Sequence, residues 1–150
     1  MAGRFTRRLQ KELLDLQRSP PTGVKLEDNT TRLDQWRIHL TGADGSLYAG
    51  EHFVLRFRFG NNYPMEAPEV VFEGPNIPMH GHIYSNGHIC LNVLYNEWSP
   101  ALSVQSICLS LLSMLSSSPE KSWPPDNDTY VRRAIASPKQ TSWAFHDDTV

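Results

Sequence analysis

The chain has 150 residues, 39% hydrophobic and 10% aromatic, with a formal net charge of −2 and a pI near 6.3. That length suits one compact domain spanning residues 1–150 with a substantial core, and the slightly acidic balance excludes a general binder of nucleic acid or anionic membrane. No apolar run approaches the roughly 20 residues needed to cross a bilayer, so no membrane association is expected.

The basic start, Met1 to Arg18, contains Glu12 and Asp15, unlike an acid-free transit peptide. Two cysteines make no disulfide framework. The expected setting is therefore reducing, cytoplasmic or nuclear.

In chain order, Phe5, Leu9, Leu13 and Leu16 recur at three- and four-residue steps and predict a helix over 4–17, ended by Ser19-Pro20-Pro21. Its other face carries Arg4, Arg7, Arg8 and Lys11. Period-two segments follow: Trp36, Ile38 and Leu40; then Phe53, Leu55, Phe57 and Phe59; then the short run Val70 to Phe72. Turn residues at 42–45, 60–62 and Tyr63-Pro64…Pro68 separate them, which predicts an antiparallel meander.

The stretch from Gly74 to Ala101 has no clean period, and so long an irregular segment in a compact domain is often functional. A second helix is predicted from the N-cap Ser103, with Val104, Ile107, Cys108, Leu111, Leu112 and Leu115 as its apolar stripe. A third, shorter helix is predicted over Asp128 to Ala136, and residues from about 138 onward are expected to be loosely ordered.

The two thiols separate by context. Cys108 lies within the apolar stripe and reads as a small core residue. Cys90 follows a turn predicted at Asn86-Gly87, where solvent access is expected, although its neighbours Ile89 and Leu91 also permit a packed thiol. A third reading uses His80, His82, His88 and Cys90 as four zinc ligands on extended chain. No protease-like base and orienting group stands out beside Cys90, which suits exchange of an already activated acyl group between thioesters.

His80-Gly81-His82-Ile83-Tyr84-Ser85-Asn86-Gly87-His88-Ile89-Cys90-Leu91, followed by Trp98-Ser99-Pro100-Ala101, resembles the active-site signature of the ubiquitin-conjugating enzymes. The Arg8-Leu9-Gln10-Lys11-Glu12-Leu13 helix, the Tyr63-Pro64…Pro68 loop and the helix from Ser103 extend the resemblance over nearly the whole chain. It implies an α+β fold, the α/β roll: an N-terminal helix, a four-stranded antiparallel meander and C-terminal helices. It also implies that Cys90 accepts ubiquitin as a thioester from an activating enzyme and passes it to an amine. ATP is consumed by the activating enzyme, so neither cofactor nor metal is expected here.

Where the family usually has His-Pro-Asn, this chain has His80, Gly81 and His82, and His82 takes the place of the Asn amide as oxyanion donor or loop brace. His80, Asn92 and Trp123 are expected to support the site. Asn92 stands where many relatives carry Asp, and Trp123 stands near a second position that is usually acidic, with Glu120 close by. Without such acids a lysine is a poor nucleophile: at pH 7.4 about one lysine amine in a thousand is uncharged, against roughly a third of α-amino groups.

Within the family the likeness is greatest to the W-type branch, through the His-x-His pattern, Ser99 to Ser106, Pro124-Pro125-Asp126-Asn127 and His146-Asp147-Asp148. That branch modifies the α-amino group of flexible N-termini, so N-terminal monoubiquitination is expected. The resemblance places docking of the activating enzyme and of RING or U-box ligases on Arg7, Arg8, Lys11, Tyr63, Pro64, Met65, Ser99, Pro100 and Ala101. It places donor ubiquitin on Leu109 and Ser113. A catalytically silent ubiquitin-binding adaptor is the other class considered, and retention of Cys90 speaks against it.

Overall fold

The computed structural model describes residues 4–134 and 138–140. Helix α1 runs from Arg4 to Arg18, close to its predicted span. Leu9 and Leu16 are buried along it, and Leu13 packs against the same core. Four strands follow: β1 (Val24–Leu26), β2 (Gln35–Thr41), β3 (His52–Arg58) and β4 (Glu69–Glu73). They form one antiparallel sheet in the order β1-β2-β3-β4, with Ile38 opposite Leu55 and Phe57 opposite Val70. The expected roll with a four-stranded meander is what is found.

Alternation decides which face is buried. In β2 Trp36, Ile38 and Leu40 point inward, and in β3 Phe53, Leu55 and Phe57 do the same. Each such side chain contributes about 1.5–3 kcal/mol by leaving water. The outer face carries Arg37, Arg56 and Arg58, which pair with Glu69 and Glu73 of β4. β4 breaks the alternation, because Val70, Val71 and Phe72 are all buried. The outward Val71 is covered by a later segment that bridges to it at His88.

Helix α2 (Val104–Ser116) closes the core from the other side, burying Val104, Ile107, Cys108, Leu111, Met114 and Leu115. Ser103 caps it as predicted, and Ser106 completes a reciprocal pair: each side chain bonds the other residue's backbone N–H. Cys108 is fully buried, as its place in the stripe requires.

Helix α3 spans Asn127–Arg133 and ends before the predicted Ala136, which lies outside the described residues. Pro138–Gln140 forms a short 3₁₀ turn, and the Lys139 ammonium donates to the Ala67 carbonyl at 2.6 Å. The signature residues His146, Asp147 and Asp148 lie outside the described residues. Among the described residues no helix is long and apolar enough to cross a membrane.

Candidate active site

The 74–101 segment is less irregular than its composition predicts. Ile83 bridges Ile89 in antiparallel fashion, flanked by bonds from the Cys90 N–H to the His82 carbonyl (2.8 Å) and from the Tyr84 N–H to the His88 carbonyl (2.9 Å). Period two along this bridge turns Ile83 and Ile89 into the core and sets His82, Tyr84, His88 and Cys90 on the other face.

Gly87 makes the bend. Its φ is +91°, and a Cβ there would stand 1.9 Å from the Phe72 carbonyl oxygen. The close approach lets the Phe72 N–H bond the Gly87 carbonyl at 2.9 Å, which fastens the loop to β4.

The N-terminal end of α3 clasps the same loop. The Ser85 N–H donates to Asn127 Oδ1 at 2.9 Å, and Asn127 Nδ2 donates to Ser85 Oγ at 3.1 Å. The Tyr84 hydroxyl donates to Asp126 Oδ1 at 2.9 Å, and the Tyr84 ring stacks on Tyr130 with centroids 3.9 Å apart. The Tyr130 hydroxyl lies 2.7 Å from His88 Nδ1.

Cys90 therefore sits in a packed wall rather than on an open turn. It is only 1% exposed, contrary to the solvent access expected from Asn86-Gly87. The bridge puts its backbone between core residues, and α3 covers the loop. Burial first, and the negative charge of Asp126 second, push its thiol up to about 11. At pH 7.5 a thiol with that value is ionised in about one molecule in 3,000. Burial likewise raises Tyr84 and Tyr95 well above the ordinary phenol range.

His80 is buried, and its Nδ1 accepts the His82 N–H at 3.0 Å. Burial, then the nearby His82, lower its pKa to about 4, so the ring is neutral and holds the backbone of the loop. The half-buried His82 lies across the bridge from Cys90, its ring 5.7 Å from that of His80. The zinc reading does not match this geometry: among the described residues no three His, Cys, Asp or Glu side chains gather as a metal set.

Asn92 opens a 3₁₀ turn (Asn92–Leu94), and its carbonyl accepts the Tyr95 and Glu97 N–H groups. Its side chain is buried, and Oδ1 lacks a hydrogen-bond partner among the described residues. Trp123 is half-buried and Glu120 exposed. Asp126, three residues beyond Trp123, is the carboxylate whose negative charge adds to the rise of the Cys90 thiol.

The docking candidates divide. Arg7, Lys11, Met65, Ser99, Pro100 and Ala101 are exposed, Met65 to 60%. Tyr63 and Pro64 are not surface residues as expected. Tyr63 is 1% exposed because its hydroxyl reaches Glu12 Oε2 at 2.5 Å, and the buried Pro64 lends its carbonyl to Trp98 Nε1 at 2.7 Å. Arg8 is no free docking cation either, because its guanidinium donates to the carbonyls of Pro100 (2.8 Å) and Leu102 (2.6 Å) and to Glu12 (2.8 Å). On α2, Leu109 is 44% exposed with Ser113 exposed beside it.

Two groups escaped the sequence reading. Glu12 had a signal: it falls inside the stripe of Leu9, Leu13 and Leu16, where a carboxylate has to be paired. Asp126 and Asn127 stood in the Pro124-Pro125-Asp126-Asn127 motif, but their contact with the loop had no signal, since only folding brings α3 to it.

A family profile described as "Ubiquitin-conjugating enzyme" matches residues 8–142. The chain is 55% identical over 152 residues to "Ubiquitin-conjugating enzyme E2 W" of Caenorhabditis elegans, covering 100% of both chains. It is 54% identical over 151 residues to "Probable ubiquitin-conjugating enzyme E2 W" of Dictyostelium discoideum, again covering 100% of both. Among solved structures, the ubiquitin conjugating enzyme E2 UbcA1 of Agrocybe aegerita superposes with a TM-score of 0.86 at 43% identity, covering 92% of this chain and 100% of that one.

Proposed function

The chain belongs to the ubiquitin-conjugating enzyme family, and we propose that it carries ubiquitin on Cys90 and delivers it to the α-amino group of protein N-termini. As a member of that family it is a ubiquitin transferase working through a thioester, and it acts with ubiquitin, an activating enzyme and ligases.

The observation that carries the assignment to Cys90 is its backbone bond to His82, 2.8 Å across a bridge that α3 locks in place. Thioester exchange forms the Cys90 S–C bond as the activating enzyme's S–C bond breaks, and the proton lost from Cys90 ends on the leaving thiolate. Attack by an amine then forms a tetrahedral oxyanion. His82, held through its backbone by neutral His80, is the side chain proposed to donate to it, a contribution of about 3 kcal/mol in comparable sites. Collapse releases the Cys90 thiolate, which takes up a proton. His80, Asn92 and Trp123 are proposed to support this geometry.

The acceptor class follows from nucleophile supply. Asn92 brings no charge to deprotonate a lysine, and Asp126 is already engaged by the Tyr84 hydroxyl. An α-amine, uncharged in about a third of molecules near neutrality, needs no such help. Substrates with flexible N-termini fit this reading, with monoubiquitination as the product. Arg7, Lys11, Met65, Ser99, Pro100 and Ala101 are proposed to meet the activating enzyme and RING or U-box ligases, and Leu109 with Ser113 to meet donor ubiquitin. The cytoplasm or nucleus is the proposed setting, and no bound cofactor is proposed.

The test is discharge of preformed ubiquitin thioester onto a glycine-initiated peptide lacking lysine and, separately, onto free lysine with a blocked α-amine. The peptide is expected to consume thioester at least about tenfold faster at pH 7.5. Equal or reversed rates would contradict α-amino preference while leaving conjugating activity intact.

A further inference from the structure

We propose that Tyr84, on the Cys90 face of the Ile83–Ile89 bridge, sets acceptor specificity by tying up the Asp126 carboxylate, so that it does not serve an incoming lysine. The inference rests on the α-amino reading above and adds the device that enforces it.

Three observations support it. The Tyr84 hydroxyl donates to Asp126 Oδ1 at 2.9 Å. The phenol is not free to swing away: its ring is buried and stacked on Tyr130 at 3.9 Å, and its backbone is pinned at both ends of the turn, by Tyr84 N–H to His88 carbonyl and Gly87 N–H to Tyr84 carbonyl. Finally, Tyr84 and Cys90 share one face of the Ile83–Ile89 bridge, and the negative charge of Asp126 adds to burial in pushing the Cys90 thiol up.

A carboxylate in that place would ordinarily draw an ammonium ion toward the thioester and accept one of its protons as the amine attacks. A lysine requires that service, because nearly all of it arrives charged; an α-amine does not. Filling Oδ1 with a fixed phenol donor withdraws the service selectively. Tyr84 is thus a positioning residue acting through Asp126, without contact to the reacting atoms.

The variant Tyr84→Phe keeps the ring and its stacking and deletes only the hydroxyl. Thioester discharge is measured onto the blocked lysine and onto the glycine-initiated peptide, and the ratio of the two rates is compared with the parent's. The expected ratio, lysine over peptide, rises at least about fivefold in Tyr84→Phe and returns to the parent value in Tyr84→Phe/Asp126→Asn. A ratio within about twofold of the parent, or a rise that survives the second substitution, overturns the proposal.

A purely structural role for the hydroxyl slows both acceptors together, leaves the ratio unmoved and counts against it. Should Tyr84→Phe fail to load, Asp126→Glu moves the carboxylate past the phenol by one methylene, and the same rise in ratio is required of it. The parent's own ratio tests the α-amino reading and the change between variants tests this inference, so the two fail separately.

Discussion

The buried Glu12 carboxylate accepts the Val104 backbone N–H at 2.7 Å, joining α1 to the first turn of α2 across 92 residues of sequence. Its other oxygen accepts the Tyr63 hydroxyl at 2.5 Å and Arg8 Nε at 2.8 Å. One side chain thus ties both helices to the loop between β3 and β4. Glu12→Ala leaves a buried hydroxyl and a helix N–H unpaired and is expected to cost about 3 kcal/mol in denaturant unfolding. Glu12→Gln, which keeps an acceptor for Val104, is expected to cost less. An alanine variant within about 1 kcal/mol of the parent would show that the knot contributes little.

Arg7 and Arg8 lie side by side in sequence but differ in role. Arg8 is spent on the Pro100 and Leu102 carbonyls, whereas Arg7 is exposed. Arg7→Glu is expected to slow thioester loading several-fold at low salt with an unchanged melting temperature. Arg8→Glu is expected to lower the melting temperature as well, because two carbonyls lose their donor. Loading kinetics and thermal scans on both variants check the division.

The buried His80 makes stability depend on pH. Its folded value of about 4 lies below the ordinary 6.5, so between these limits the unfolded chain binds a proton that the folded chain does not. Stability is full above pH 6.5 and falls by about 3 kcal/mol as pH drops toward 4. His88, also lowered by burial, adds in the same direction. Urea unfolding across this range should show the loss, and His80→Gln should flatten it.

The two glycines flanking the bridge make opposite demands. A Cβ at Gly81 meets nothing within 4 Å, so Gly81→Ala is expected to stabilise by about 0.5 kcal/mol through the unfolded chain. Gly87, with φ +91° and the Phe72 carbonyl in the way, should lose about 3 kcal/mol as alanine. Thermal unfolding of the two variants gives the comparison.

The architecture was legible wherever a period governs it. The stripe of Leu9, Leu13 and Leu16 marked α1, alternation marked β2 and β3, and Ser103 marked the start of α2. β1 went unseen by pattern because Val24–Leu26 is too short to display one; the family resemblance supplied the fourth strand. The site was legible only as a local motif around Cys90. Tyr84 and Asp126 meet across 42 residues, and no spacing rule announces such a contact. Local motif also misjudged accessibility: Asn86-Gly87 does turn the chain, but the turn folds inward against Phe72, and Cys90 is buried with it.

The direct test of Cys90 as the ubiquitin carrier is incubation with activating enzyme, ATP and ubiquitin, read on gels with and without thiol reductant. The parent should give a ubiquitin adduct that reductant removes. Cys90→Ala, with Cys108 intact in the core, should give none. A reductant-sensitive adduct on Cys90→Ala, or no adduct on the parent, would contradict the account.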